Sequence, residues 1–188
     1  HSAYLAGNLD RASLLLRDAL ETARTKRDVR EALWGQFLCA VESEQPEGRN
    51  LLNQFAAAVD QHPGDLMRIE TGRILLAFHG LGEFSTDLLA TIHLADHVND
   101  CLSESSFLNG WMGIAVYFGR YGEALEVASR QRALVGTYRL DFVLPHLFLR
   151  EATAYRGQRR FRDCRVALDR AEAACTEQDG FIESLKIL

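Results

Sequence analysis

Strand-forming patterns are almost missing from this 188-residue sequence: β-branched residues never alternate with polar ones over a strand's length. Prolines are scarce as well, only Pro46, Pro63 and Pro145, so long helices can run uninterrupted. The four cysteines, Cys39, Cys101, Cys164 and Cys175, are far apart and form no CxxC pair. That spacing argues against a disulfide framework and a zinc ribbon, and leaves buried thiols as the expectation. Basic charge is not in excess: 21 Lys and Arg against 26 Asp and Glu give a net charge of -5, so this segment has no footprint for a nucleic-acid backbone. No apolar run approaches the roughly 18 residues that span a bilayer, and no basic-then-apolar leader opens the chain. A cytoplasmic segment without membrane contact is expected.

Catalytic signatures are missing too. There is no GxSxG, no HExxH, no glycine-rich strand-to-helix loop and no pair of carboxylates in apolar surroundings. His79-Gly80-Leu81-Gly82 has the look of an oxyanion-hole loop but is better explained as the frayed end of a helix. We therefore expect no enzyme and no cofactor.

What the chain does have is 47% apolar residues, ample for a core, and an internal repeat. Apolar positions recur every 37 residues in three series: Phe37, Ile74, Trp111, Phe148; Leu38, Leu75, Met112, Leu149; and Tyr4, Val41, Phe78, Ala115, Ala152. Within each copy they fall at i, i+1 and i+4, one stripe of an α-helix, here helix A. A turn follows each, clearest at Gly7-Asn8-Leu9, Gly82-Glu83-Phe84 and Gly119-Arg120-Tyr121, because glycine after a last apolar turn caps a helix in the left-handed region. Second amphipathic stretches, helices B, then run from Ala12, Leu51, Leu88, Ala124 and Cys164. Pro63 separates one pair from the next, while Pro46 suits the first turn of a helix B and Pro145 that of the last helix A.

This pattern predicts an all-α fold, a right-handed superhelical solenoid of antiparallel helix pairs. It forms a single domain over 1–188 with about four to five pairs. The chain opens near the end of a helix A and closes with Phe181 to Leu188, which reads as the start of another. Without polar caps at either end, we expect a segment of a longer protein.

The runs Ala3-Tyr4-Leu5-Ala6-Gly7-Asn8-Leu9-Asp10-Arg11-Ala12 and Tyr117-Phe118-Gly119-Arg120-Tyr121-Gly122-Glu123-Ala124-Leu125 resemble the centre of a tetratricopeptide repeat. The period, longer than the usual 34 or so, and the second helices rich in alanine, leucine and arginine resemble the helical sensor regions of large LuxR-type transcriptional activators related to the maltose-regulon activator. The resemblance implies a nucleotide-binding switch before the segment, a helix-turn-helix after it, and a sensor that binds an inducer or a regulatory protein. Neither neighbouring module has its motif here. The leading expectation is thus a ligand- or partner-binding sensor of such a regulator. A tetratricopeptide scaffold for a peptide or protein is the alternative, and a metal-binding helical domain a distant third.

Taken literally, the repeat places three rows on the non-core face of helix A. They are Gly35, Gly72, Asn109, His146; Cys39, Leu76, Gly113, Arg150; and Ser43, Gly80, Tyr117, Ala154. Asn109, Tyr117, His146 and Arg150 can donate to a carboxylate, a sugar or a peptide backbone in a shallow groove. Read plainly, they are solvated polar positions and the glycines ease helix packing. His93, His97 and Cys101 stand at i, i+4 and i+8 on one expected helix B, where two imidazoles can share a zinc or nickel ion and the thiolate is reached only with distortion. Histidines on a solvated face are the plainer reading. Trp34, Trp111, Phe107 and Tyr138 invite comparison with an aromatic cage, but Trp111 belongs to the core series and Trp34 to an apolar flank. The one basic cluster, Arg156, Arg159, Arg160, Arg162 and Arg165, suits an acidic partner or a phosphate, although Asp163 and Asp169 dilute it towards a solvated turn.

Overall fold

The computed structural model describes residues 8–60, 62–98 and 100–175. Among them every element is helical and no strand occurs. The chain divides into two compact units, His1–Ser85 and Thr86–Leu188.

The first unit contains α1 (Leu9–Glu21), α2 (Lys26–Glu42), α3 (Gly48–Ala58) and α4 (Pro63–Phe78). Side chains start most of these helices. The Asn8 side chain accepts from the Arg11 amide, and Thr25 and Asp28 form a reciprocal capping box at the start of α2. Pro63 stands in the first turn of α4, with His62 Nδ1 accepting from the Gly64 amide. Each helix packs on the next, and α2 also meets α4; short connections between packed neighbours make successive helices antiparallel. The core gathers Leu33, Trp34, Phe37, Val41, Leu52, Phe55 and Leu76. Trp34 stacks on Phe37 with ring centres 5.1 Å apart and tilts against Phe55 at 5.4 Å.

The second unit opens with a 3-10 helix, Thr86–His97, followed by α5 (Cys101–Tyr117) and α6 (Tyr121–Tyr138). A 3-10 turn, Asp141–Val143, leads into α7 (Leu144–Gly157) and α8 (Phe161–Ala174). Pro145 lies in the first turn of α7, as its position predicts. Consecutive α-helices pack on one another, α5 also meets α7, and the 3-10 helix lies on α5. Phe107, Leu108, Met112, Ile114 and Leu147 are completely buried.

One turn recurs four times. Two residues beyond the end of α2, α4, α5 and α7, the backbone enters the left-handed region at Glu44, Gly80, Gly119 and Arg159. The next amide then reaches back five residues: Gln45 to Ala40, Leu81 to Leu76, Arg120 to Ala115 and Arg160 to Tyr155, all at 2.8 to 2.9 Å. These are Schellman closures, and they turn each helix A into the element after it.

Four expectations need correction. The glycine that turns the chain after α4 is Gly80, not Gly82, which instead crowds the backbone of Leu76 and Ala77. Pro46 precedes α3 and its N-cap Glu47 rather than entering its first turn. The expected helix B around Leu88 is the 3-10 helix. Phe78, assigned to a core series, is 38% exposed and meets Phe84 edge-on. By contrast, Phe37, Ile74 and Trp111 of the first series are buried, as are Val41, Ala115 and Ala152 of the third. Tyr4, Gly7 and Phe181 to Leu188 lie outside the described residues.

Candidate functional site

The three rows do not form one open face. Gly35 and Gly72 are buried beneath leucines of the preceding helix: a Cβ on Gly35 would lie 2.7 Å from Leu16, and one on Gly72 2.5 Å from Leu52 and 3.2 Å from the Phe37 ring. Cys39, Leu76, Gly113 and Ala154 are buried as well. A repeat spacing fixes which positions are equivalent and leaves open which way they face. A helix packed on several sides has few outward positions, and these residues take the inward ones. Burial also raises the Cys39 thiol above its ordinary range.

The polar residues remain, all in the second unit. Asn109 on α5 and His146 and Arg150 on α7 are half-buried, and α5 packs on α7. The spacing of 37 pairs Asn109 with His146 and Gly113 with Arg150. The closures after α5 and α7, at Gly119 and Arg159, stand three residues further apart than that, so α7 has slipped past the pairing, and Gly113 is buried where Arg150 is half-buried. The Asn109 Oδ1 is buried and accepts no hydrogen bond, so it has capacity for a donor. Burial pushes the Arg150 guanidinium below its ordinary range. Tyr117 stands apart: 61% exposed at the end of α5, it packs edge-on against Phe118 at 5.1 Å. Asn109, His146 and Arg150 thus share one helix pairing, with Tyr117 two turns away from Asn109.

The metal constellation loses its geometric premise. His93 and His97 belong to the 3-10 helix, whereas Cys101 starts α5. With three residues per turn, side chains align at i+3, so positions four apart diverge by about a third of a turn. His93 Nδ1 lies 2.9 Å from the Ala90 carbonyl oxygen. Among the described residues no group of three or more His, Cys, Asp or Glu is placed to hold a metal. Trp34, Trp111 and Phe107 are core residues, while Tyr138 is 55% exposed.

Two features had no clear signal in the sequence. Gln131 on α6 is fully buried, and its Nε2 donates to the Ser105 carbonyl at 3.0 Å and hydroxyl at 3.2 Å. The Glu151 carboxylate, 3% exposed, is paired with Arg132; burial raises it above its ordinary range, with Arg132 and Arg170 opposing. Both are polar groups inside apolar helix faces, which periodicity alone does not distinguish from solvated ones. The second feature is a cleft of about 420 Å³ where the 3-10 helix meets α5 and α6. Leu89, Ile92, Trp111 and Val127 line it, with Arg120 and Glu126 among its polar residues. The Trp111 indole N–H donates to the Leu89 carbonyl at 3.1 Å, tying the two walls together.

Among the described residues no helix is long and apolar enough to cross a membrane. No protein-family model, curated protein or solved structure matches the chain.

Proposed function

We propose that this chain is a helical-repeat binding module of the tetratricopeptide type, acting as the effector- or partner-sensing segment of a cytoplasmic LuxR-type transcriptional regulator. The observation that carries the repeat reading is the same Schellman closure at Glu44, Gly80, Gly119 and Arg159. Four turns of one geometry, each joining a core helix to the element after it, support a stack of antiparallel helix pairs. The α5–α7 pairing supports a binding role: Asn109 offers an unfilled acceptor, and His146 and Arg150 offer donors suited to a carboxylate or a peptide backbone. In a regulator, an effector held there acts by binding one arrangement of the whole protein more tightly than another.

The regulator context is tested by translating the gene on both sides of the segment. A phosphate-binding loop upstream and a helix-turn-helix downstream are expected. Stop codons or unrelated domains would sink that context and leave the tetratricopeptide scaffold for a peptide partner. The site is tested separately by pairing Asn109→Ala with Arg150→Gln, which should abolish effector binding while helical circular dichroism is unchanged.

A further inference from the structure

The turn from α7 into α8 is the most basic stretch of an acidic chain: Arg156, Arg159, Arg160, Arg162 and Arg165 fall within ten residues. The nearby acids neutralise only part of it. Arg160 Nε donates to Asp163 at 2.7 Å, with its guanidinium 4.5 Å above the Tyr155 ring, and Arg165 pairs with Asp169 at 3.4 Å. Arg156, Arg159 and Arg162 are exposed and have no side-chain partner among the described residues.

Phe161 stands among them with 66% of its surface exposed, and Val166 follows at 44%. The equivalent turn after α5 is different. There Tyr121 is half-buried with its ring against Gly157, Arg120 is paired with Glu123 at 2.6 Å, and the left-handed position is Gly119. At the α7–α8 turn the left-handed position carries an arginine, Arg159, at a φ of +59°. Placing a cationic side chain where glycine costs less adds charge to a surface that already has it.

We propose that this turn docks an acidic segment of a partner protein, with Arg156, Arg159 and Arg162 taking its carboxylates and Phe161 an adjoining apolar side chain. Guanidinium groups bind carboxylates with two parallel hydrogen bonds, and arginine and phenylalanine together are typical of protein interfaces. A nucleic-acid backbone is tracked by a longer basic surface than one turn supplies, whereas a short acidic segment with one apolar side chain suits three arginines around the exposed Phe161. This proposal stands on a different surface from the α5–α7 site and does not depend on it.

The test is fluorescence anisotropy on the whole 188-residue chain with a labelled peptide of glutamates flanking one leucine. Its glutamine counterpart and a single-stranded oligonucleotide serve as competitors. Replacing all three arginines (R156Q, R159Q, R162Q) is expected to weaken peptide binding about tenfold or more, and raised salt should weaken the unmodified chain. Phe161→Ala should weaken it several-fold. R159G removes one charge while easing the backbone, so its loss of affinity cannot come from unfolding. Equal binding of the glutamine peptide, tighter binding of the oligonucleotide, or unchanged affinity in the triple variant and R159G would each overturn the proposal.

Discussion

The two units solve the same packing problem with different polar chemistry. In the first, α2 and α4 are linked by charges: Arg68 donates to Glu31, one repeat away, at 2.9 Å and lies 5.9 Å from the Trp34 ring, while Arg30 reaches the buried Asp65 at 3.2 Å. At the sequence spacing of 37, Glu31 and Arg68 correspond to Ser105 and Phe142 in the second unit, although the closure at Arg159 lies three residues past that spacing from Gly119. Ser105 is buried and bonded to Gln131, whereas Phe142 is 67% exposed on the 3-10 turn before α7. The apolar spine repeats while the polar links between helices do not. Apolar packing needs only size at the right spacing, but a polar link needs a particular partner, so it is rebuilt locally in each unit.

The largest effect should come from emptying the aromatic core. Phe37→Ala is expected to cost about 3–5 kcal/mol, with amide exchange in α2 and α4 rising first. Equal loss of protection in α5 and α7 would show that the two units do not differ in local stability. Next comes the buried amide: Gln131→Ala should cost about 1–3 kcal/mol in chemical denaturation, with little dependence on salt. In the first unit Arg68→Ala should cost about 1 kcal/mol or less, and the cost should shrink as salt rises. A reversed ranking would break the contrast between the Arg68–Glu31 pair and the Gln131–Ser105 bond.

The repeated turn gives a smaller effect of either sign. Gly119→Ala forces a Cβ into the left-handed region and should cost about 1 kcal/mol. Glu44→Gly should recover a few tenths of that, read as a small rise in melting temperature. The smallest effect is a slope. Because the Glu151 carboxylate is raised in the folded state from its usual 4.5, its contribution is full below that value and is lost as pH rises through the raised one. Glu151→Gln should therefore gain on the unmodified protein as pH rises through that range; parallel stability curves would show that Arg132 compensates for the burial.

Much of this architecture is legible in the sequence, and the failures have physical causes. Phe37, Ile74 and Trp111 announce the core helices because burial selects apolar residues at fixed intervals. The same argument misreads Thr86–His97, since its buried residues Leu88, Leu89 and Ala95 mark an apolar side without choosing the winding. Gly80 and Gly82 flank one leucine, and only the hydrogen bond from Leu81 to Leu76 decides which one turns the chain. For the candidate site, the sequence supplies Asn109, His146 and Arg150 but not their half-burial, because the rows they came from include inward residues such as Cys39 and Leu76. Gln131 and Glu151 are indistinguishable from surface polar residues until their neighbours are known.

The 3-10 helix also carries a mechanical consequence. Twelve residues wound at about 2.0 Å per residue reach about 6 Å further than the same residues at the α-helical rise of about 1.5 Å. Runs of this winding seldom exceed three or four residues, so twelve in succession carry the chain further along α5 than the expected helix B would. The Trp111 indole, donating to the Leu89 carbonyl at 3.1 Å, is thus anchored to a point whose distance along the segment is set by that winding.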